Sequence, residues 1–165
     1  MKPSPRTPSG ASRAPAEGIL SAGLGRAHDG LSARIRAFET SIGGEATPQA
    51  RLAAFGGLAR AIAEHFRFEE ESLFPNLLLV TGDQARAAVD LLQKEHVELL
   101  RHLEATGAAL HARSDARKPF EEFRKLLSTH QAREMSLVYP LSDMLLPPSL
   151  RRLIADLLPG SAGAS

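Results

Sequence analysis

One stretch of the chain occurs twice, and this repeat restricts the fold more than any other feature. Residues 65–75 and 130–140 each begin with His, place a Glu four residues later and end in an apolar residue, an aromatic residue and Pro. The two pairs are His65 with Glu69, and His130 with Glu134. A His and a Glu four residues apart lie one turn apart on the same face of a helix. The repeat therefore predicts two similar helices that present the same pair of side chains.

A lone histidine precedes each copy at a similar separation, His28 before the first and His96 before the second. The order His, His-x-x-x-Glu, His, His-x-x-x-Glu is that of two helical hairpins of similar design. Two such faces turned toward each other would place imidazoles and carboxylates around one point. The pattern predicts a metal site and favours two metals.

Apolar residues recur at helical spacing over most of the chain, and strand-like alternation is absent from the sequence. Four helices of about 20 residues are predicted. Their expected positions are residues 20 or 26 to 41, 47–75, 81 to between 107 and 114, and 115–140. A short helix over 149–158 follows two prolines. Short loops between such helices predict an all-α fold, an antiparallel up-down four-helix bundle with a short C-terminal helix.

Composition limits the class of protein. A chain of 165 residues with 43% hydrophobic and 24% charged residues suits one globular domain. We assign it to residues 19–158, with a disordered Pro/Ser/Arg-rich tail at 1–18 and a disordered tail at 159–165. A net charge of +1 predicts neither a nucleic-acid nor a membrane partner. With no secretory signal or membrane span evident, we expect a cytoplasmic protein.

The chain has no Cys, which leaves His and carboxylate as metal ligands. A lone His on an apolar face is commonly a core residue, and a buried Glu can pair with Arg or protonated His. Metal is favoured because all the candidates lie on the apolar faces of their own helices. They are His28, His65, Glu69, His96, His130 and Glu134.

Other polar residues near the motifs are assigned ordinary places. We expect Glu70 and Glu71 to face solvent, unless the helix is irregular near the proline that ends the first copy. Asp29 suits either a surface charge or a group that orients a ligand. Tyr139 replaces the Phe of the first copy and is expected to pack in the core. His102 and His111 are expected to be surface or packing residues.

The chain is similar to the hemerythrin-like domain, also called the HHE cation-binding domain, over about residues 20–158. The resemblance implies a four-helix bundle that encloses a non-haem di-iron centre. It assigns His28 and His65 to one iron and His96 and His130 to the other, with Glu69 and Glu134 bridging both. The residues that carry it are His28-Asp29, His65-Phe66, Glu69-Glu70, Leu73-Phe74-Pro75, Glu95-His96, His130, Glu134 and Tyr139-Pro140.

Two departures from the oxygen-carrying hemerythrins stand out. Those proteins have a fifth His one turn after the lone His of the third helix, where this chain has Leu100. They also bridge with an Asp where this chain has Glu134. The set of four His and two Glu is similar instead to that of the iron–sulfur cluster repair di-iron proteins and of other bacterial hemerythrin-like domains. The separate cysteine-bearing N-terminal domain that repair proteins often carry is not seen in this sequence, which weakens a direct repair assignment.

The expected centre has two iron ions with a bridging oxide or hydroxide. Each iron would then have five ligands and one open position, and Leu100 would leave the second iron open. Imidazole and carboxylate also suit Mn and Zn, so iron rests on the resemblance. We expect the centre to bind or sense a small diatomic ligand, dioxygen or nitric oxide. The alternatives are an enzyme that turns over oxygen, peroxide or nitric oxide, an iron store or donor with a redox or iron-acceptor partner, and a helical adaptor without metal.

Overall fold

A computed structural model describes residues 18–158, so the two predicted tails lie outside the described residues, Gly18 excepted. The predicted all-helical class is confirmed, since no strand occurs in the described range. The α-helices are α1 (Ile19–Gly43), α2 (Pro48–Phe68), α3 (Phe74–Thr81), α4 (Arg86–His111), α5 (Arg117–Arg133), α6 (Tyr139–Leu145) and α7 (Pro148–Asp156). They pack together as a helical bundle, in which α1 contacts α2, α4 contacts α5 and α2 contacts α4.

Local signals account for several helix ends. Thr47 caps α2 by accepting a hydrogen bond from the Ala50 amide at 3.2 Å, and Pro48 occupies the first turn. Gly82 has a φ of 55°, a left-handed conformation that favours glycine, and it ends α3. The predicted start of the third long helix at residues 81–83 is therefore too early, because α4 begins only after this turn.

Both copies of the repeat contain a π-helical segment, Glu69–Leu73 after α2 and Glu134–Val138 after α5. The amide of Phe74 bonds to the Glu69 carbonyl, and that of Tyr139 to the Glu134 carbonyl, five residues back in each case. Each segment stands immediately before the helix that contains the proline of the repeat. The prolines therefore follow an irregular turn and do not end the helical path.

Two apolar clusters fill the bundle, one toward each end of the long helices. One contains Leu31, Phe38, Leu58, Ile62, Phe66, Leu99, Leu103, Phe120, Phe123 and Leu127. The other contains Leu20, Leu24, Phe68, Leu73, Phe74, Leu77, Val89, Leu92, Val138, Tyr139 and Ile154, among others. α1 and α4 each contribute to both clusters, with their histidine between the two sets in sequence, and the helical paths of the two repeats pass from the first cluster to the second close to their histidines. The buried polar layer of the site is thus enclosed by apolar packing on both sides.

The C-terminal helices close one end of the bundle against α1. Asp143 of α6 accepts hydrogen bonds from the amides of Leu20 and Ser21 at 3.0 and 2.8 Å, which satisfies the first turn of α1. Gly18 lies so close to this carboxylate that a Cβ there would come within 1.9 Å of Asp143 Cγ. Between residues 18 and 158, no helix is both long and apolar enough to cross a membrane.

Candidate metal centre

The structure brings the six predicted site residues together in the middle of the bundle. His28 comes from α1 and His96 from α4, while the repeat supplies a His and a Glu from each of the other two helical paths. All six are buried, and Glu69, His130 and Glu134 are each 0% exposed. Ionised carboxylates at such depth need compensating partners.

The first pair of imidazoles is formed by α1 and α2. The Nε2 atoms of His28 and His65 lie 3.1 Å apart. Glu134 Oε2 lies 3.3 Å from His28 Nε2, and Glu69 Oε1 lies 3.5 Å from His65 Nε2. Two nitrogens and two carboxylate oxygens therefore converge on one point.

The second pair repeats this arrangement with α4 and α5. The Nε2 atoms of His96 and His130 also lie 3.1 Å apart. Glu134 Oε1 lies 2.9 Å from His130 Nε2, and Glu69 Oε2 lies 3.4 Å from His96 Nε2. The pseudo-symmetry of the sequence repeat is thus preserved in the positions of the ligand atoms.

Glu69 and Glu134 are shared between the two halves. One group of possible ligands is His28, His65, Glu69 and Glu134, and the other is Glu69, His96, His130 and Glu134. In each group the ligand atoms lie within 4.8 Å of one another. Each carboxylate directs one oxygen to each pair of imidazoles, which is the arrangement that a bridging carboxylate requires.

The hydrogen bonding of these carboxylates indicates a cation. Among the described residues, Glu69 Oε2 and both side-chain oxygens of Glu134 are buried and accept no hydrogen bond of good geometry, although Glu134 Oε1 lies 2.9 Å from His130 Nε2. An unsatisfied buried carboxylate is costly, and a cation between the imidazoles would satisfy these oxygens. The donor set of imidazole and carboxylate is one that first-row transition metals accept. The residues present therefore fit a metal.

The protonation states also suit metal binding. Burial lowers the pKa of the His65 imidazole from 6.5 to about 4, and the neighbouring imidazoles lower it further against the opposing effect of Glu69. Burial would raise the pKa of Glu134, but the interactions with His130 and His28 outweigh it and lower the pKa to about 2. Near pH 7, His65 is therefore neutral and Glu134 is ionised, the forms that bind metal.

Two further carboxylates orient the second pair of imidazoles. Glu70 Oε1 lies 2.7 Å from His96 Nδ1, and Glu95 Oε2 lies 3.0 Å from His130 Nδ1. Glu95 is also paired with Arg133. Such contacts fix which ring nitrogen is free for a metal. The Glu70 side chain is 41% exposed, so it faces solvent in part as expected, and its carboxylate also reaches His96 from the irregular π-helical turn before Pro75.

Aromatic rings cover the second pair as well. Phe66 stacks on the His96 ring with centroids 3.9 Å apart and an interplanar angle of 11°. Phe74 lies nearly parallel to the same ring at 5.9 Å. These rings exclude water from the imidazole and hold its orientation.

Tyr139 belongs to the site, which the sequence did not indicate. Its side chain is fully buried, and its hydroxyl donates a hydrogen bond to Glu69 Oε1 at 2.6 Å. The hydroxyl oxygen of Tyr139 also lies 3.0 Å from His28 Nε2. Burial, with the nearby carboxylates of Glu69 and Glu134, raises the pKa of Tyr139 well above its usual value of 10. The expectation of a packing role was therefore incomplete.

The remaining candidates lie outside the cluster. Asp29, Glu71 and His111 are exposed, and His102 is partly exposed beside Arg101. Asp29 follows His28 in the chain but has no contact with its ring among those described. These positions agree with a surface role.

Leu100, at the position of the fifth His of the oxygen-carrying hemerythrins, lies at the edge of the inner face of α4. It is 38% exposed, whereas Leu99 is fully buried. The inner face of α4 follows steps of three and four residues through Leu92, His96, Leu99 and Leu103, which is a narrow stripe. Leu100 falls on the flank of this stripe.

Cavities reach the first pair of imidazoles from both sides of α1. A cavity of about 580 Å³ between α1, α2 and α7 is lined by His65, and small residues such as Gly30 and Ala61 widen it. A second cavity of about 560 Å³, between α1 and α5, is lined by His28 and Met135. Solvent or a small ligand can therefore approach the centre along α1.

A buried cluster of His and Glu between the helices of a bundle is typical of bundle proteins that bind metal cations in their core. The family model described as hemerythrin HHE cation binding domain matches residues 24–142 of the chain. The protein thus belongs to this family. No curated protein and no solved structure matches the chain.

Proposed function

We propose that the protein is a di-iron protein that binds or senses a small diatomic ligand, dioxygen or nitric oxide. In this proposal His28 and His65 hold one iron, and His96 and His130 hold the other. Glu69 and Glu134 bridge the two. The observation that carries the proposal is the pair of overlapping ligand groups that share both carboxylates.

The choice of iron rests on the family, because imidazole and carboxylate also suit Mn and Zn. Each metal position has two imidazoles and one oxygen from each bridging carboxylate, fewer donors than six-coordinate iron accepts. When bound, iron supplies an open coordination position that can take up a diatomic molecule. An oxide or hydroxide bridge between the two irons is part of the proposal.

The residues of the chain would prepare this site in two ways. The imidazoles and carboxylates converge before metal arrives, with His65 neutral and Glu134 ionised near pH 7, so little reorganisation is needed. Phe66 and Phe74 keep the second pair dry, whereas the cavities beside α1 admit small molecules to the first pair. A dry, reachable centre suits binding of a small apolar gas.

We also propose that the four long helices run antiparallel, up and down. Along α1 and α4, the residues of the cluster around Phe74 come before the histidine and those of the cluster around Phe123 come after it. Along the helical paths that begin with α2 and α5, the cluster around Phe123 comes first and the cluster around Phe74 follows. Alternating order in consecutive long helices supports this topology.

Absorption spectroscopy tests the function. Iron-loaded protein is reduced under anaerobic conditions, and its spectrum is recorded before and after a pulse of air or of nitric oxide. A carrier or sensor gives a new band with either gas, and the band disappears when that gas is removed. The Glu134→Ala variant should lose the band, whereas His111→Ala, at an exposed position, should keep it.

Two other outcomes would redirect the interpretation. Irreversible oxidation by air, with repeated turnover above the free-iron background, would replace a carrier or sensor by an enzyme. Irreversible oxidation without turnover, with transfer of iron to an acceptor faster than to a chelator, would indicate iron handling. An iron-loaded protein without any response to either gas would contradict the proposal.

A further inference from the structure

The two copies of the repeat differ at one buried position beside the metal centre. Phe74 in the first copy and Tyr139 in the second follow the same π-helical turn, and both are buried. Phe74 lies against the ring of His96. Tyr139 places a hydroxyl at the opposite half of the centre, beside His28. The two copies therefore have equivalent histidines and glutamates, but only the second copy has a hydroxyl oxygen at this position.

The position of the Tyr139 oxygen matches that of a metal ligand. Two donors that each lie about 2.1 Å from one ion, at a right angle, are about 3 Å apart. The nitrogens of His28 and His65 have this spacing, at 3.1 Å. The Tyr139 oxygen lies 3.0 Å from the same His28 nitrogen and 2.6 Å from Glu69 Oε1. Its distance from His28 Nε2 is that of two donors on one ion, and its shorter distance from Glu69 Oε1 is that of the hydrogen bond that the cation would replace.

We propose that the phenol oxygen of Tyr139 is a further ligand of the cation held by His28 and His65. The inference rests on the proposed function, since it needs a cation at that position. When the oxygen binds, the bond to the phenol proton breaks, the oxygen bonds to the cation through the electron pair left behind, and the proton leaves to solvent. Neither the metal nor the phenol changes oxidation state.

The proposal makes the two metal positions unequal. The first cation gains an anionic oxygen donor, a hard ligand that favours the ferric over the ferrous state. The second cation has only Phe74 at the equivalent place. The first position therefore has one open coordination site fewer than the second, so a small ligand that enters beside α1 would replace the phenolate of Tyr139 or bind the second cation.

The spectrum of the ferric protein tests this assignment. A phenolate bound to ferric iron absorbs visible light by charge transfer and gives tyrosinate vibrations in resonance Raman spectra. A phenol that only donates a hydrogen bond to Glu69 gives neither. Tyr139 is the single tyrosine of the chain, so any such signal belongs to it.

The full chain is loaded with ferric iron, and iron per chain is measured with the spectrum. We expect tyrosinate vibrations in the wild type and their complete loss in Tyr139→Phe, which retains both irons. The first copy of the repeat already accommodates Phe at this place, so the substitution is conservative. If the variant does not fold, the wild-type spectrum alone decides.

A wild type that binds two irons without a phenolate signal would overturn the role of Tyr139 and leave the proposed function intact. A wild type that binds no iron would overturn both. A phenolate signal that survives in Tyr139→Phe would show that the band has another origin and would also overturn the assignment.

Discussion

The buried imidazole of His65 makes the stability of the metal-depleted protein depend on pH. Its pKa is lowered from 6.5 to about 4, chiefly by burial. Between these two values the unfolded chain binds a proton that the folded chain does not bind. The free energy of unfolding is therefore fully retained above about pH 6.5 and falls as the pH is lowered toward 4.

The size of the effect follows from the two pKa values. Each pKa unit corresponds to about 1.4 kcal/mol, so the His65 imidazole removes about 3 kcal/mol of stability between pH 6.5 and pH 4. For a chain of this size, that loss lowers Tm by roughly 10 °C. Glu134, whose pKa is lowered to about 2, adds a further loss as the pH falls below 4.5.

The assay is thermal unfolding followed by circular dichroism, with a chelator present, from pH 7.5 to pH 4. Between pH 6.5 and pH 4, the Tm of His65→Gln should fall less than that of the wild type, by roughly 10 °C. His111→Gln, at an exposed position, is the matched control and should decline like the wild type. A wild type and a His65→Gln variant with parallel profiles would refute the reasoning.

Three more results are expected. His130→Ala should reduce the metal bound per chain far more than His111→Ala, as measured by elemental analysis after dialysis; equal losses would show that the ligand assignment is wrong. Removing metal with a chelator at pH 7.5 should lower Tm, because a ligand that binds only the folded state stabilises it; an unchanged Tm would argue against a site in the core. Glu95→Gln should weaken metal binding by about 10- to 100-fold, because the contact with His130 Nδ1 is lost. The control Glu98→Gln, at an exposed position, should not weaken it. A competition titration against a chromogenic chelator measures both affinities, and identical values would remove the orienting role of Glu95.

The sequence predicted the helical fold and the six side chains that converge in the bundle because both depend on simple spacing. A His and a Glu four residues apart lie on one face of a helix, whatever the rest of the chain does. Apolar residues on the same faces indicated that these side chains point inward. The structure brings the six candidates together for these reasons.

The π-helical turns account for most of what the sequence did not predict. Spacing of an α-helix places Leu137 on the inner face of the fourth long helix, but Leu137 is 50% exposed and Val138 is buried. The wider turn after Glu134 shifts the inner face by one residue and brings Tyr139 onto it. A proline at the end of each repeat was the one signal of this irregularity.

The contacts of Glu70 and Glu95 depend on tertiary structure and could not be derived from periodicity. Glu70 reaches His96 across the gap between two helical paths, and Glu95 reaches His130 in the same way. Each contact needs the rotation and spacing of two helices. The position of a residue within its own helix therefore does not predict either contact.

The most direct test of the account is the number of iron atoms bound per folded chain. Protein loaded with ferrous iron under anaerobic conditions, freed of excess iron by gel filtration and analysed for metal and protein should contain two irons per chain. Glu134→Gln should reduce the binding at both positions, since this carboxylate faces both pairs of imidazoles. A wild-type value of one or none would contradict the shared two-metal centre.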